Sequence, residues 1–313
     1  MTKWLFVGPT LLSGIGQVTK NYADCVKDSE YVALGNRPKL LKYDCGFAFV
    51  IPIESQINIL DQYKPFCKKW IYMTVCETRP VNPCYGILEK YKTMYVPSNF
   101  AKIILENQFP KIEWKVLHHW CPTPIPRIMN AIADAPYIFY TIGNVIDPRK
   151  NIKLLVQTFL KLNFKNSLLV LKATCHTDVT WDFPNVKIIN GLLPSEDIEE
   201  IHSQSHCYVN CSHSEGVGMG AVEAALRNKS VIITDFGGLK EYVKTPYVVE
   251  CTPCTVGADD FLFKKDMVWG NPNMDQLIDC MKRAYNERHL AEKGFTAGLM
   301  DAVSDEFIQY SAA

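Results

Sequence analysis

HSEGVGMGAVEAAL, His213 to Leu226, carries the pattern on which the fold turns. An apolar run, His206–Asn210, precedes it and reads as a buried strand, and a second, Val231–Thr234, follows and ends in Asp235-Phe236-Gly237-Gly238. Between them Gly216, Gly218 and Gly220 lead into a helical pattern with Ala221, Val222, Ala225 and Leu226 on one face. A glycine-rich turn feeding a helix leaves backbone N–H groups unpaired, with the positive end of the helix dipole behind them. Such a turn suits an anion such as phosphate. Glu215 and Glu223 bracket it, and carboxylates, which only accept, suit sugar hydroxyls instead.

Outward from this stretch the same strand–helix alternation continues in both directions, the mark of α/β folding with parallel sheets covered on both faces. In the second half, strands are expected at Tyr137–Gly143, Leu168–Ala173 and Val186–Ile189, with helices over Ile152–Leu162 and Ser195–Gln204, the latter capped by Ser195. From Met274 the pattern is helical to near the end. In the first half, strands are expected at Trp4–Val7, Tyr31–Leu34, Phe47–Ile51, Trp70–Val75, Met94–Val96 and Trp114–Leu117. Helices are expected at Val18–Lys27, Gln56–Tyr63, Tyr85–Lys92 and, behind the cap Ser98, Asn99–Gln108. Three prolines between Trp120 and Ala135 mark a linker. The expected organisation is a first domain over 1–125, a linker over 126–136, a second domain over 137–290 and a terminal helical segment over 291–313.

Adjacent cations Arg149 and Lys150 stand between a strand and a helix. They could neutralise a diphosphate, or simply form a solvated first turn, although cations at a helix start oppose its dipole.

Taken together, Asp147-Pro148-Arg149-Lys150-Asn151, then Glu215 and Glu223 with seven residues between them, then the Asp235–Gly238 turn resemble the nucleotide-sugar site of GT-B retaining glycosyltransferases of the family-four type. The resemblance runs from Tyr137 to Tyr285 and continues more weakly over Trp4–Pro122. It implies GT-B architecture: two Rossmann-like domains facing across a cleft, acceptor domain first and donor domain second, with the last helix, about Glu306–Tyr310, returning to the N-terminal domain. It implies a donor set of Gly143, Arg149, Lys150, Glu215, Gly216, Val217, Gly218, Met219 and Glu223. In that set Glu223 meets the ribose hydroxyls, Glu215 the transferred sugar, and the turn amides sugar and phosphate. Gly14 and Gly16, in Ser13-Gly14-Ile15-Gly16, would approach the donor phosphate from the first domain. Arg149, Lys150 and Glu215 would carry catalysis, the departing diphosphate accepting the acceptor's proton through an oxocarbenium-like state. Val217 and Gly220 depart from the usual family residues, phenylalanine and proline.

The resemblance further implies a nucleoside diphosphate sugar of UDP or GDP type as donor and a glycan, glycoprotein or lipid-linked acceptor. No cofactor is required and no metal is essential: Asp259-Asp260 is not the D-x-D of metal-dependent enzymes. Glu77 and Arg79, in a loop resembling one of the relatives, and His118 and His119, after the last first-domain strand, are the acceptor candidates. At most one of two adjacent histidines on an extended chain can face a site. A nucleotide-sugar epimerase, a phosphorylase of the same fold, or a non-catalytic nucleotide-sugar-binding protein are the alternatives.

Composition agrees with a globular α/β chain. Its 313 residues suffice for two domains, with 48% hydrophobic and 21% charged residues. Lys+Arg and Asp+Glu both number 33, so no net field favours nucleic acid. No apolar run approaches the roughly 18 residues of a membrane span, and MTKWLFVGPT reads as a strand and turn, not a leader. Twelve scattered cysteines are expected as cytoplasmic free thiols; Asn210-Cys211-Ser212 and Asn228-Lys229-Ser230 match a glycosylation pattern, but beside the proposed site. Cys251 and Cys254 have the spacing of only half a zinc site, so no metal site is expected.

Overall fold

The computed structural model describes residues 2–122, 135–175, 177–288, 303 and 305–312. The chain forms two compact units: Met1–Pro122 with Thr255–Val268 and Thr296–Ala313, and Thr123–Cys254 with Trp269–Phe295. The return of Thr255–Val268 to the first unit is a crossing that a contiguous division does not contain. Most of the expected linker, and much of the segment after residue 290, lies outside the described residues.

The first unit carries β1 (Trp4–Gly8), α1 (Gly14–Asp24), β2 (Ser29–Ala33), β3 (Tyr43–Phe49), α2 (Glu54–Asp61), β4 (Cys67–Met73), β5 (Thr93–Val96), α3 (Asn99–Gln108) and β6 (Glu113–Val116). They form one parallel sheet in the order β2-β1-β3-β4-β5-β6. The order reverses between β1 and β3. Central strands are buried on both faces, as in Leu5, Phe6, Val7, Phe47 and Ala48, which is why they read as continuous apolar runs. Strand β3 starts four residues before the expected Phe47 because Asp44 and Gly46 interrupt the apolar pattern. Gly46 is required there, since a β-carbon would lie 2.5 Å from the Trp70 ring. The expected helix over Tyr85–Lys92 is a 3-10 segment, Pro83–Lys90, with Pro83 in its first turn and Asn82 capping it.

The C-terminal helical residues pack on this sheet as expected. Phe307 is buried edge-on against Trp4, Phe6, Tyr22 and Phe47, with ring centroids 5.2–5.9 Å apart. Tyr310 donates its hydroxyl to the Trp70 carbonyl at 2.8 Å. Such edge-to-face pairs add about 0.5–1.5 kcal/mol each beyond burial.

The second unit carries β7 (Tyr137–Gly143), α4 (Ile152–Leu162), β8 (Ser167–Ala173), β9 (Val186–Ile189), α5 (Ser195–Gln204), β10 (Cys207–Val209), α6 (Met219–Leu226), β11 (Ser230–Thr234), β12 (Val248–Val249) and α7 (Met274–Glu287). Its parallel sheet runs β12-β11-β10-β7-β8-β9, so the order reverses between β7 and β10. Helix α5 starts after Pro194, which takes the cap position in place of the expected Ser195; no side chain caps it. A two-stranded pair, β13 (Cys251–Thr255) with β14 (Val268–Pro272), has no counterpart among the expected strands. Pro253 and Pro272 and the small polar residues around them give these strands little apolar signal.

Candidate active site

Ligands of open parallel sheets bind beyond the carboxyl ends of the strands where strand order reverses. In the second unit that point lies between β7 and β10, and the loops after these two strands hold Arg149 with Lys150 and Glu215 with the glycines.

The loop after β7 is shaped residue by residue. Asp147 accepts from the Arg149 amide at 2.9 Å and starts a 3-10 turn in which Pro148 needs no N–H partner. Asn151 then takes a left-handed backbone, φ 52°, which asparagine tolerates, and opens α4. The turn points both cations toward the neighbouring loop, whose His213 amide bonds the Arg149 carbonyl at 2.8 Å.

Glu215 is the centre of the cluster, 4% exposed. Its Oε1 accepts from Lys150 Nζ at 2.6 Å, Ser212 Oγ at 2.7 Å and Asn210 Nδ2 at 3.3 Å. Its Oε2 accepts from Arg149 Nη1 at 3.0 Å, and that nitrogen also donates to the Ser214 carbonyl at 2.8 Å. Burial alone pushes this carboxyl up, but the charges of Lys150 and then Arg149, with bonds from Lys150 and Ser212, hold it well below the usual carboxylate range. The Glu215 oxygens, expected to meet hydroxyls of the transferred sugar, are buried and accept from the chain's own donors, three at Oε1 and one at Oε2. What it does here is hold the two cations, and Asp147, 3.6 Å from Arg149, balances them further.

Lys150 keeps the most open face of the cluster, with 23% of its side chain exposed against 13% for Arg149. It passes over Gly143, whose missing β-carbon would lie 3.8 Å from Lys150 Cε. Together with Thr141, Gly143, Asn144, Asn210 and Ser212 it lines a small recess at the carboxyl ends of β7 and β10. Asn210 and Ser212, which match a glycosylation pattern in sequence, are buried, and both serve Glu215. Nothing in their order distinguished a buried hydrogen-bonding pair from a surface acceptor.

The glycines are explained by close approach. Gly218 caps α6 at φ 76°, and a β-carbon there would fall 2.0 Å from Leu239 Cδ1. Gly237, at φ 116°, sits against the Glu215 backbone, while Gly238 donates to the Glu215 carbonyl at 2.9 Å. The downstream glycine pair thus seats the turn from below. Gly220 leaves room for the Tyr208 hydroxyl, 2.2 Å from where a β-carbon would be, and that hydroxyl bonds the Ile142 carbonyl at 3.2 Å. A proline at this position would collide with Tyr208, which accounts for the departure noted in sequence. Val217 is buried, so only its backbone can serve a ligand, while the first amides of α6, around Met219, open the helix.

Glu223, one turn into α6, has 33% of its side chain exposed. Its Oε2 lies 3.9 Å from Nε2 of the buried His202, whose Nδ1 is 2.7 Å from the Tyr140 hydroxyl. Burial lowers the His202 pKa, and the neighbouring Glu223 partly offsets this. His202 and Tyr140 had no site signal in sequence, because a histidine on an α5 face and a tyrosine in a strand read as core. His213 stacks on Trp269 at 4.7 Å and bonds the Gly270 carbonyl through Nδ1 at 2.7 Å.

The remaining expected residues lie in the first unit. Gly16 donates its amide to the cap Ser13 at 3.0 Å, and a β-carbon would fall 2.0 Å from the Thr10 carbonyl oxygen; Gly14 stands in open space. Of the two histidines, His119 is buried between Tyr22 and Phe49, and burial, then the charge of His118, lowers its pKa to about 3. That removes His119 from the acceptor candidates and leaves His118 partly exposed. Glu77 is half-buried, and Arg79 lies over the Phe100 ring at 5.0 Å while its backbone pairs with Val268. All twelve cysteines are free thiols. Among the described residues no His, Cys, Asp and Glu side chains gather in a group of three able to hold a metal, and no helix is long and apolar enough to cross a membrane.

Residues 184–252, spanning β9 to β12 and the whole glycine turn, match the family described as glycosyl transferases group 1. A 121-residue stretch is 28% identical to one component of human phosphatidylinositol N-acetylglucosaminyltransferase, covering 38% of this chain but only a quarter of that protein. A glycosyltransferase from Rickettsia africae superposes with a TM-score of 0.61 at 11% identity, over 99% of this chain and 98% of that one. A UDP-forming trehalose-phosphate synthase from Burkholderia xenovorans superposes with a TM-score of 0.58 at 11% identity, over 86% and 74%. The fold is therefore that of the GT-B glycosyltransferases. The segment that builds the glycine turn is the one that matches the group 1 family.

Proposed function

We propose that the protein is a glycosyltransferase that moves a sugar from a nucleoside diphosphate donor, of UDP or GDP type, to a glycan, glycoprotein or lipid-linked acceptor. One observation carries this: at the strand-order reversal of the second unit, Glu215 locks Lys150 and Arg149 beside a glycine turn, and that turn lies in the segment matching the group 1 family. Cations and oriented amides held in advance stabilise charge that grows on a departing diphosphate without reorganising. Lys150, with its open face, meets the diphosphate; Arg149 is the more enclosed partner. Glu223, partly exposed and able only to accept, takes the ribose hydroxyls.

Retention follows if the diphosphate, held on one face, itself accepts the acceptor's proton. The two cations supply the charge that a divalent metal would otherwise bring, so turnover is expected to survive EDTA. The named relative that forms UDP supports a uridine donor, and the human relative, named for phosphatidylinositol, is the reason to include a lipid-linked acceptor in the trials. A cytoplasmic location suits the free thiols.

The test is a melting-temperature panel over UDP-, GDP-, ADP- and TDP-sugars, followed by release of the nucleoside diphosphate with and without acceptor. A bound donor raises the apparent stability. If no nucleotide raises it, the proposal fails. Sugar phosphate or an isomer formed without acceptor would instead make the protein a phosphorylase or an epimerase.

A further inference from the structure

We infer that His202 is a positioning residue that orients the Glu223 carboxylate toward the nucleotide ribose, with Tyr140 fixing its tautomer. The inference rests on the donor reading above. His202 is wholly buried on α5, and its Nε2 has no hydrogen-bond partner among the described residues. A buried ring nitrogen left without a bond is costly. The group it faces is Glu223 Oε2, at 3.9 Å, a gap that a small turn of the carboxylate closes. Its Nδ1 is engaged by the Tyr140 hydroxyl at 2.7 Å.

The tautomer follows from the partners. A carboxylate only accepts, so Nε2 must carry the proton that faces Glu223. Nδ1 is then the acceptor, and the Tyr140 hydroxyl must be its donor. The chain of donation runs one way, from Tyr140 to His202 to Glu223. Arg227, at the C-cap of α6, gives Nε to Glu199 at 2.8 Å and Nη1 to the Glu223 carbonyl at 2.8 Å. With one Glu223 oxygen drawn toward the imidazole, the other is turned outward and kept in a single orientation for a hydroxyl pair. Ordering the acceptor before the ligand arrives spares the rotamer loss that binding would otherwise incur.

The test is the preference for UDP over 2′-deoxy-UDP, measured by titration calorimetry on the full chain, with GDP and 2′-deoxy-GDP in parallel. His202→Phe keeps an aromatic ring and removes both nitrogens; it is expected to cut the ribose preference by about 3- to 10-fold, less than loss of a direct bond to a charged group. Tyr140→Phe moves the preference the same way by less, and guards against a His202 variant that fails to fold. His202→Gln, whose amide can reach the carboxylate, restores part of it. In a Glu223→Ala background, His202→Phe has no further effect. Equal weakening of ribo- and deoxyribonucleotides by His202→Phe, or the same loss without Glu223, overturns the inference and leaves the donor reading standing. Failure of the wild type to bind any of the four nucleotides overturns both.

Discussion

Replacing Glu215 by glutamine isolates the cluster on which the proposed donor site depends. The amide keeps the shape but deletes the negative charge that two cations share. Removing one partner of a buried ion pair costs about 3–5 kcal/mol, because the other charge is left buried and uncompensated. Here that figure is reduced: Lys150, 23% exposed, can turn to water, and Arg149 keeps the Ser214 carbonyl and the nearby Asp147. The expected loss is therefore about 2–3 kcal/mol, or a fall of roughly 5–10 °C in the melting temperature of a unit this size. The pH dependence has a definite sign. Glu215 is held below its ordinary value of 4.5, so its contribution is complete above that value and is lost as the pH falls through the folded one. The gap between wild type and Glu215→Gln must then be widest near neutrality and shrink in acid. The variant, with two uncompensated cations, should also gain at least as much stability from added pyrophosphate as the wild type. A variant that melts within a degree of the wild type at pH 7.5, or a gap that widens in acid, would refute the assignment of Glu215 as the hub.

Glu223→Ala should weaken nucleotide affinity by roughly 10- to 100-fold, as for bonds to a charged group, with little change in melting temperature; calorimetry and a melting curve check both halves. Lys150→Met should lower turnover by about 100-fold or more while donor binding changes less, since its charge acts mainly on the departing diphosphate. Gly218→Ala should cost about 2–4 kcal/mol, combining the left-handed backbone with the clash against Leu239, and abolish donor binding; denaturant melts measure the first and nucleotide titration the second. For His119, burial puts the folded pKa at about 3, below its ordinary 6.5, so protonating the unfolded chain erodes stability as the pH falls from 6.5 toward 3. His119→Phe should flatten that limb of the stability curve, and an unchanged slope would contradict the buried placement.

Legibility in the sequence followed burial. Helices α3, α4 and α5 and strands β7 and β9 carry the residue ranges that their apolar period implies. The pattern fails where polar or small residues serve a neighbour, as at Asp44 and Gly46 in β3, or where strands are short and proline-bearing, as in β13 and β14. In the site, the residues with a motif were visible: the Asp147–Asn151 turn, Glu215, the glycines and Glu223. Their partners were not, because Asn210, Ser212, His202 and Tyr140 act through buried hydrogen bonds that have no spacing in the chain. Glu215 shows the consequence most sharply. At the start of a run of glycines, an acid reads as a group waiting for a ligand. Surrounded by Lys150, Arg149, Ser212 and Asn210, it is already satisfied, and the group left facing outward is the lysine that it holds. The sequence could name the charges of this site; which of them is spent internally, and which stays open to solvent, is decided only by the packing of the loops after β7 and β10.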